Sequence, residues 1–110
     1  MLRESSTSVI TRNEIWRGDS ASEPIEAGWA REAIFFVRAL RPAHGPLAQA
    51  FAEISPDGMH WVREGSGITL PEQQDAVVAL RVSHFGNWLR LRTVLPDRSE
   101  YAVLVTVHLK

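Results

Sequence analysis

Four histidines, His44, His60, His84 and His108, are the first residues to weigh for chemistry, because a neutral imidazole can ligate a metal or carry a proton near neutral pH. Their spacings match no metal-ligand motif, and the chain has no cysteine, so thiolate sites and disulfides are both excluded. No metal and no other cofactor is expected. Asp57 and His60 are the nearest acid-base pair in sequence, and Ser83-His84 sets a hydroxyl beside an imidazole. Asp57 already has a role in the turn Ser55-Pro56-Asp57-Gly58, and Ser83 lacks the glycine-flanked elbow that activates a hydrolase serine. No catalytic set follows, and the chain reads as a non-enzyme, with an enzyme of no recognisable site as the second alternative after a carbohydrate-binding module.

Binding chemistry is better represented. Trp29, Trp88, Phe36 and Phe51, together with Arg90 and Arg92, form the candidate interaction surface: aromatic rings for contact area and guanidinium groups for anionic partners. Arg90 and Arg92 alternate on one run, His108 and Lys110 on the next, and a hairpin through Pro96 to Ser99 would align the four. Trp61 is assigned to the core, over the small side chains of Ala48, Ala50 and Ala52. Trp16, Trp29 and Trp88 either join an exposed patch with Phe36 and Phe51 or are covered by the N-terminal segment.

The elements that must position these residues are short strands. Residues 47–64 read as a hairpin: Pro56 presets φ, Asp57 bonds nearby backbone and Gly58 accepts positive φ, which suggests a type I turn with a glycine bulge. Ala48, Ala50, Ala52 and Ile54 share one face; Leu47, Gln49, Phe51 and Glu53 share the other. Residues 32–41 are apolar on both sides, as in a strand that is doubly covered or carries an outward greasy surface. The Pro42 to Pro46 loop would then join this strand to the next as a pair. Asp75 to Val82 and Asn87 to Leu95 alternate, and from Tyr101 onward Val103, Val105, Val107 and Leu109 mark the clearest strand. Asn13 is expected to break or bulge the first strand. Residues 1–20 are expected to be an N-terminal arm, flexible or ordered by a partner, and 21–110 one β-sandwich domain.

Composition narrows the class. A chain of 110 residues with 45% apolar and 23% charged residues is one globular domain. The net charge of −1 gives no support for a nucleic-acid partner. No run approaches a membrane span, and the N-terminal residues lack the apolar core of a secretory signal, so no membrane association and no export are expected. Arginine supplies 11 of the 12 basic residues, a bias of GC-rich bacterial coding. Turn signals every ten residues or so, with no helical period of useful length, point to an all-β antiparallel β-sandwich of jelly-roll type with seven or eight strands; a closed barrel is the alternative.

The succession AIFFVRAL, HGPLAQ, SPDG, Trp61, GNWLRLRTV and a Val-rich terminal strand resembles small β-sandwich proteins encoded in phage and prophage structural modules, over roughly residues 26 to 110. More distantly it is similar to discoidin-like carbohydrate-binding sandwiches, in which a Ser-x-Asp-Gly-x-x-Trp hairpin recurs, although their ligand positions do not align here and their cysteine pair is absent. The resemblance implies a non-catalytic part that decorates, connects or self-assembles, commonly as a repeated subunit. The partners it implies are further copies of the chain, other assembly proteins, or a glycan in the alternative reading. The chain would then be cytoplasmic as synthesised, or part of a virion-like particle.

Overall fold

The computed structural model describes residues 5–110, and residues 1–4, the start of the expected arm, lie outside it. The described residues form nine strands and no helix: β1 (Ser6–Trp16), β2 (Asp19–Ala21), β3 (Ile25–Glu26), β4 (Glu32–Ala39), β5 (Gln49–Ser55), β6 (Val62–Thr69), β7 (Val77–Ser83), β8 (Trp88–Val94) and β9 (Tyr101–Leu109). They make two antiparallel sheets packed face to face. One has the order β1-β9-β4-β7; the other runs β2-β8-β5-β6, with β3 also on β8. The all-β antiparallel sandwich is therefore present, with nine strands instead of seven or eight. The extra strand arises because β2 and β3 share one position along β8, with Pro24 between them removing a ladder donor.

Period-two alternation builds the core. Val103, Val105, Val107 and Leu109 of β9 point inward beside Ala33, Phe35 and Val37 of β4, and Leu89 and Leu91 of β8 meet them from the other layer beside Ala50 and Ala52 of β5. Trp16, Tyr101 and Phe35 are the largest fully buried side chains. Trp16 is thus the core tryptophan. Trp61, expected there over Ala48, Ala50 and Ala52, is only half-buried on the outer side of its sheet.

The part of the expected arm from Ser6 to Trp16 is a sheet strand, paired along β9 from Ser6 opposite Leu109 to Trp16 opposite Tyr101. Two register shifts, between Val9 and Thr11 and between Thr11 and Glu14, fit the expected irregularity at Asn13, whose φ is 51°. These bulges change the phase of the strand, so that both Ile10 and Thr11 are buried and Trp16 still turns inward.

Two expected pairings do not form. The strand before the Pro42–Pro46 loop and the strand after it, β4 and β5, lie in different sheets, as do β8 and β9. Each proline-bearing connection crosses between the layers instead of closing a hairpin. The loop is pinned where it crosses: His44 bridges Glu100, and Ser99 Oγ and Tyr101 Oη donate to the Pro46 carbonyl at 3.1 and 3.4 Å. Burial pushes the Tyr101 hydroxyl pKa up. Gly45 is required there, since its φ is +85° and a Cβ would lie 2.7 Å from the Arg98 carbonyl oxygen.

Thr11 Oγ1 is buried without a hydrogen-bond partner. Desolvating a hydroxyl without return costs free energy that an isosteric methyl would not. Thr11→Val keeps the branched shape, so chemical denaturation should show a protein more stable by about 1 kcal/mol with an unchanged m-value. A loss of stability would mean that the hydroxyl has a partner.

Candidate functional site

The six candidate surface residues do not meet in one patch. Phe36 lies on the outer face of the β1-β9-β4-β7 sheet, Phe51, Trp88, Arg90 and Arg92 on the outer face of the other sheet, and Trp29 in the loop before β4. The basic set also divides, with Arg90 and Arg92 on one side of the molecule and His108 on the other. Phe36 is parted from Phe51 because β4 and β5 lie in opposite layers, and His108 from Arg90 and Arg92 because β9 and β8 do.

On the β2-β8-β5-β6 sheet the outer face is a charged network. Glu53 on β5 lies directly opposite Arg90 on β8 and Arg63 on β6, and Phe51 lies opposite Arg92 and Gly67. Glu53 is only 3% exposed although it points away from the core. Its Oε1 is 2.7 Å from an Arg90 terminal nitrogen and accepts from Arg90 Nε at 2.8 Å; its Oε2 is 3.4 Å from Arg92. Arg92 in turn forms a two-pronged pair with Asp19, at 2.9 and 2.7 Å. The Arg92 hydrogen bonds hold the Asp19 carboxyl below its ordinary range, and those carboxylates raise the Arg92 guanidinium.

The aromatic faces on this side are already occupied. The Arg90 guanidinium sits 4.2 Å from the centre of the Trp61 ring and Arg63 sits 4.0 Å from that of Phe51. Phe51 also lies across Gly67, where a Cβ would come within 2.8 Å of the ring, so the glycine makes space for it. Gly58 stands against Trp88, a Cβ there falling 3.3 Å from the indole. Phe51 and Trp88 are therefore half-covered. A sequence signal for this network exists: Phe51 and Glu53 alternate outward on one strand, and Trp88, Arg90 and Arg92 on another, a charge match that predicts β5 beside β8.

The turn after β5 is wider than a tight hairpin. Ile54 and Val62 are the last paired residues, so 55–61 form the loop. Asp57 organises it: Oδ1 accepts from Met59 N and His60 N at 2.8 Å each and from Ser55 Oγ at 3.0 Å, while Oδ2 is 2.6 Å from His60 Nδ1. Ser55 Oγ accepts the backbone N–H of Asp57 and of Gly58. Ser55, Asp57 and His60 thus resemble a hydrolase triad in composition only. The serine bonds to the aspartate instead of the histidine, so no base is placed to take its proton. Backbone donation from His60 and Met59 holds the Asp57 carboxyl far below its ordinary range. The other histidines stand apart: His44 in the bridge to Glu100, His84 in the loop after β7, and His108 on β9 with its Nδ1 3.0 Å from Thr7 Oγ1.

The outer face of the β1-β9-β4-β7 sheet has the opposite character. Its register sets Val9, Thr106, Phe36 and Ala79 in one row, with Leu104, Arg38 and Val77 in the next. Phe36 is 36% exposed, Val9 41% and Val77 55%, and no element among the described residues covers them. The Arg38 head is drawn to Asp75 at the loop before β7, 2.7 Å away. Of the two alternatives for residues 32–41, the greasy outward surface is the one realised. A third feature is an open cleft between the loops before β4 and after β7, lined by Arg31, His84 and Asn87.

Glu53→Gln should lower stability by about 1–3 kcal/mol in chemical denaturation, because it leaves Arg90 and Arg92 facing a neutral amide. Asp19→Asn, in the exposed limb of the network, should change it much less. Equal effects would contradict the central place of Glu53. Stability should also depend on acid. Asp57, Asp19 and Glu100, the last lowered by Arg17, all have folded-state pKa values below their ordinary ones. The native state holds fewer protons than the unfolded chain, so this stabilisation is complete above the ordinary carboxylate range, about pH 4, and is lost as pH falls below it. Thermal melts from pH 6 to 2 should show a falling midpoint, with a shallower fall in Asp57→Asn.

No protein-family model matches the chain, and no curated protein matches it in sequence. A solved structure that is similar in fold is that of the SPBc2 prophage-derived protein YomS, with a TM-score of 0.61 and 10% sequence identity over 96% of this chain and 92% of that one. The likeness spans nearly all of both chains, and at that identity it shows a common all-β fold.

Proposed function

We propose that the protein is a non-catalytic structural or interaction module, a repeated component of a phage-like or other self-assembling complex. Its association surface is the outer face of the β1-β9-β4-β7 sheet. The observation that carries this reading is the uncovered apolar row of Val9, Phe36 and Ala79 with Leu104 and Val77 beside it. Four strands about 4.8 Å apart and seven residues rising about 3.3 Å each give the whole face an extent on the order of 450 Å², which the apolar side chains share with Thr106, Arg38, Arg81 and His108. That is about half of the roughly 800 Å² per partner in a standard interface, so the apolar row would be the dry centre of a larger footprint with Arg81 toward its rim.

The fold likeness to a prophage-derived protein supports the setting. The strand order supports the jelly-roll reading. Counting β2 and β3 as one interrupted strand, the sheets have four positions each, and every connection but the β5-β6 hairpin passes from one sheet to the other. The glycan alternative draws less support, because Arg63 and Arg90 occupy the ring faces of Phe51 and Trp61 that would stack on a sugar; Trp29, 47% exposed, is the ring it would have to use.

Sedimentation velocity at micromolar concentrations should show concentration-dependent association. Phe36→Asp should weaken it at least about tenfold, as for a residue at the centre of an interface, while the monomer keeps its melting temperature. A strict monomer at every concentration that gains no partner would overturn the proposal.

A further inference from the structure

Resting on the reading of an associating module, we infer that β7 is a second interface, through which two copies of the chain join edge to edge about a two-fold axis at Leu80. Sheet edges tend to pair with other strands unless they are interrupted, charged or covered. Three of the four edges here are interrupted. β1 carries two register shifts, β2 and β3 are three and two residues long around Pro24, and β6 is bulged opposite Phe51 and Glu53 and has Gly65 at φ 120°. β7 pairs with β4 over seven consecutive residues without a shift, contains no glycine or proline, and carries one charge, Arg81.

The direction of its free hydrogen-bonding groups follows from alternation. Glu32 and Lys110 exchange both backbone hydrogen bonds between β4 and the end of β9, at 3.1 and 3.0 Å, so the even-numbered residues of β4 bond β9 and the odd-numbered ones bond β7. The contact from Ala39 N to the Ala76 carbonyl agrees with this. Through the register of β4 and β7, Val78, Leu80 and Val82 are bonded inward to β4. Val77, Ala79, Arg81 and Ser83 therefore turn their N–H and C=O groups to the open side.

The side chains fit a copy of themselves. An antiparallel pair centred on Leu80 sets Val77 against the partner copy's Ser83 and Ala79 against its Arg81, which matches odd residues with odd ones and uses all of the free groups. On the inner face it sets Val78 against Val82 and Leu80 against Leu80, so the edge of each core continues into the other. The one opposing feature is the two Arg81 heads, diagonal across the axis at about 7–8 Å, from where both long side chains reach solvent. The product is one eight-stranded sheet across the dimer, with the two apolar outer faces side by side.

Amide hydrogen exchange on the unmodified protein reads this directly. Comparing dilute with concentrated samples, the amides of Val77, Ala79, Arg81 and Ser83 should exchange at least about tenfold more slowly when concentrated, while those of Val78, Leu80 and Val82 are slow in both. Ala79→Pro removes one outward donor without touching the β4 ladder, and should abolish the edge dimer in sedimentation. Phe36→Asp should leave it intact. Association in which the odd-numbered amides stay fast would overturn the edge pairing and leave the apolar-face reading standing; a monomer at all concentrations would overturn both.

Discussion

The molecule depends on one packing constraint: two twisted sheets must share a single layer of side chains. Val103, Val105 and Val107 of β9 and Phe35 and Val37 of β4 fill that layer from one side, and Ala50, Ala52, Leu89 and Leu91 from the other. Each is nearly sealed from water, and each sits at every second position of its strand. Because β9 and β4 are central in one sheet and β8 and β5 in the other, these four strands carry the core and the remaining ones frame it. Ala50 and Ala52 keep the β5 side of that layer thin, and branched residues there would overfill it.

Once the inner faces are committed, function is left to the outer ones, and they differ in kind. The β2-β8-β5-β6 face spends its polar groups on itself: Glu53 satisfies Arg90 and Arg92, Asp19 completes Arg92, and two arginines cover aromatic rings. Little is left there for a partner to bind. The β1-β9-β4-β7 face has no such internal closure. Its one charged residue in the middle rows, Arg38, is drawn off to Asp75, which leaves an apolar surface that water solvates poorly. On the proposed reading, this asymmetry gives the chain a direction, with the charged side kept in solvent and the apolar side used for association.

The sequence was informative wherever the signal was local. Alternation from Tyr101 to Leu109, the inward set Leu89, Leu91 and Thr93, the alanine face of β5 and the turn chemistry of Asp57 all follow from period and backbone geometry, and all appear in the structure. What failed was the pairing of strands. The Pro42–Pro46 and Pro96–Ser99 loops read as hairpins but cross between layers, because nothing local distinguishes a turn within a sheet from one that changes sheets. That error carried Arg90 and Arg92 to the side of His108 and gathered Phe36 with Phe51. The exchange of Trp61 for Trp16 has a different origin. Two bulges reset the phase of β1, and Arg90 provides Trp61 with cover on the outer face, and neither effect is visible in a hydrophobic pattern.

Hydroxyl-radical footprinting of side chains, in dilute and in assembled protein, tests most directly the claim that the apolar outer sheet is the association surface. Phe36, Leu104, Val77 and Val9 should lose reactivity on assembly while Trp61, Phe51 and Met59 keep theirs. Protection of the charged face with Phe36 unchanged would contradict the account.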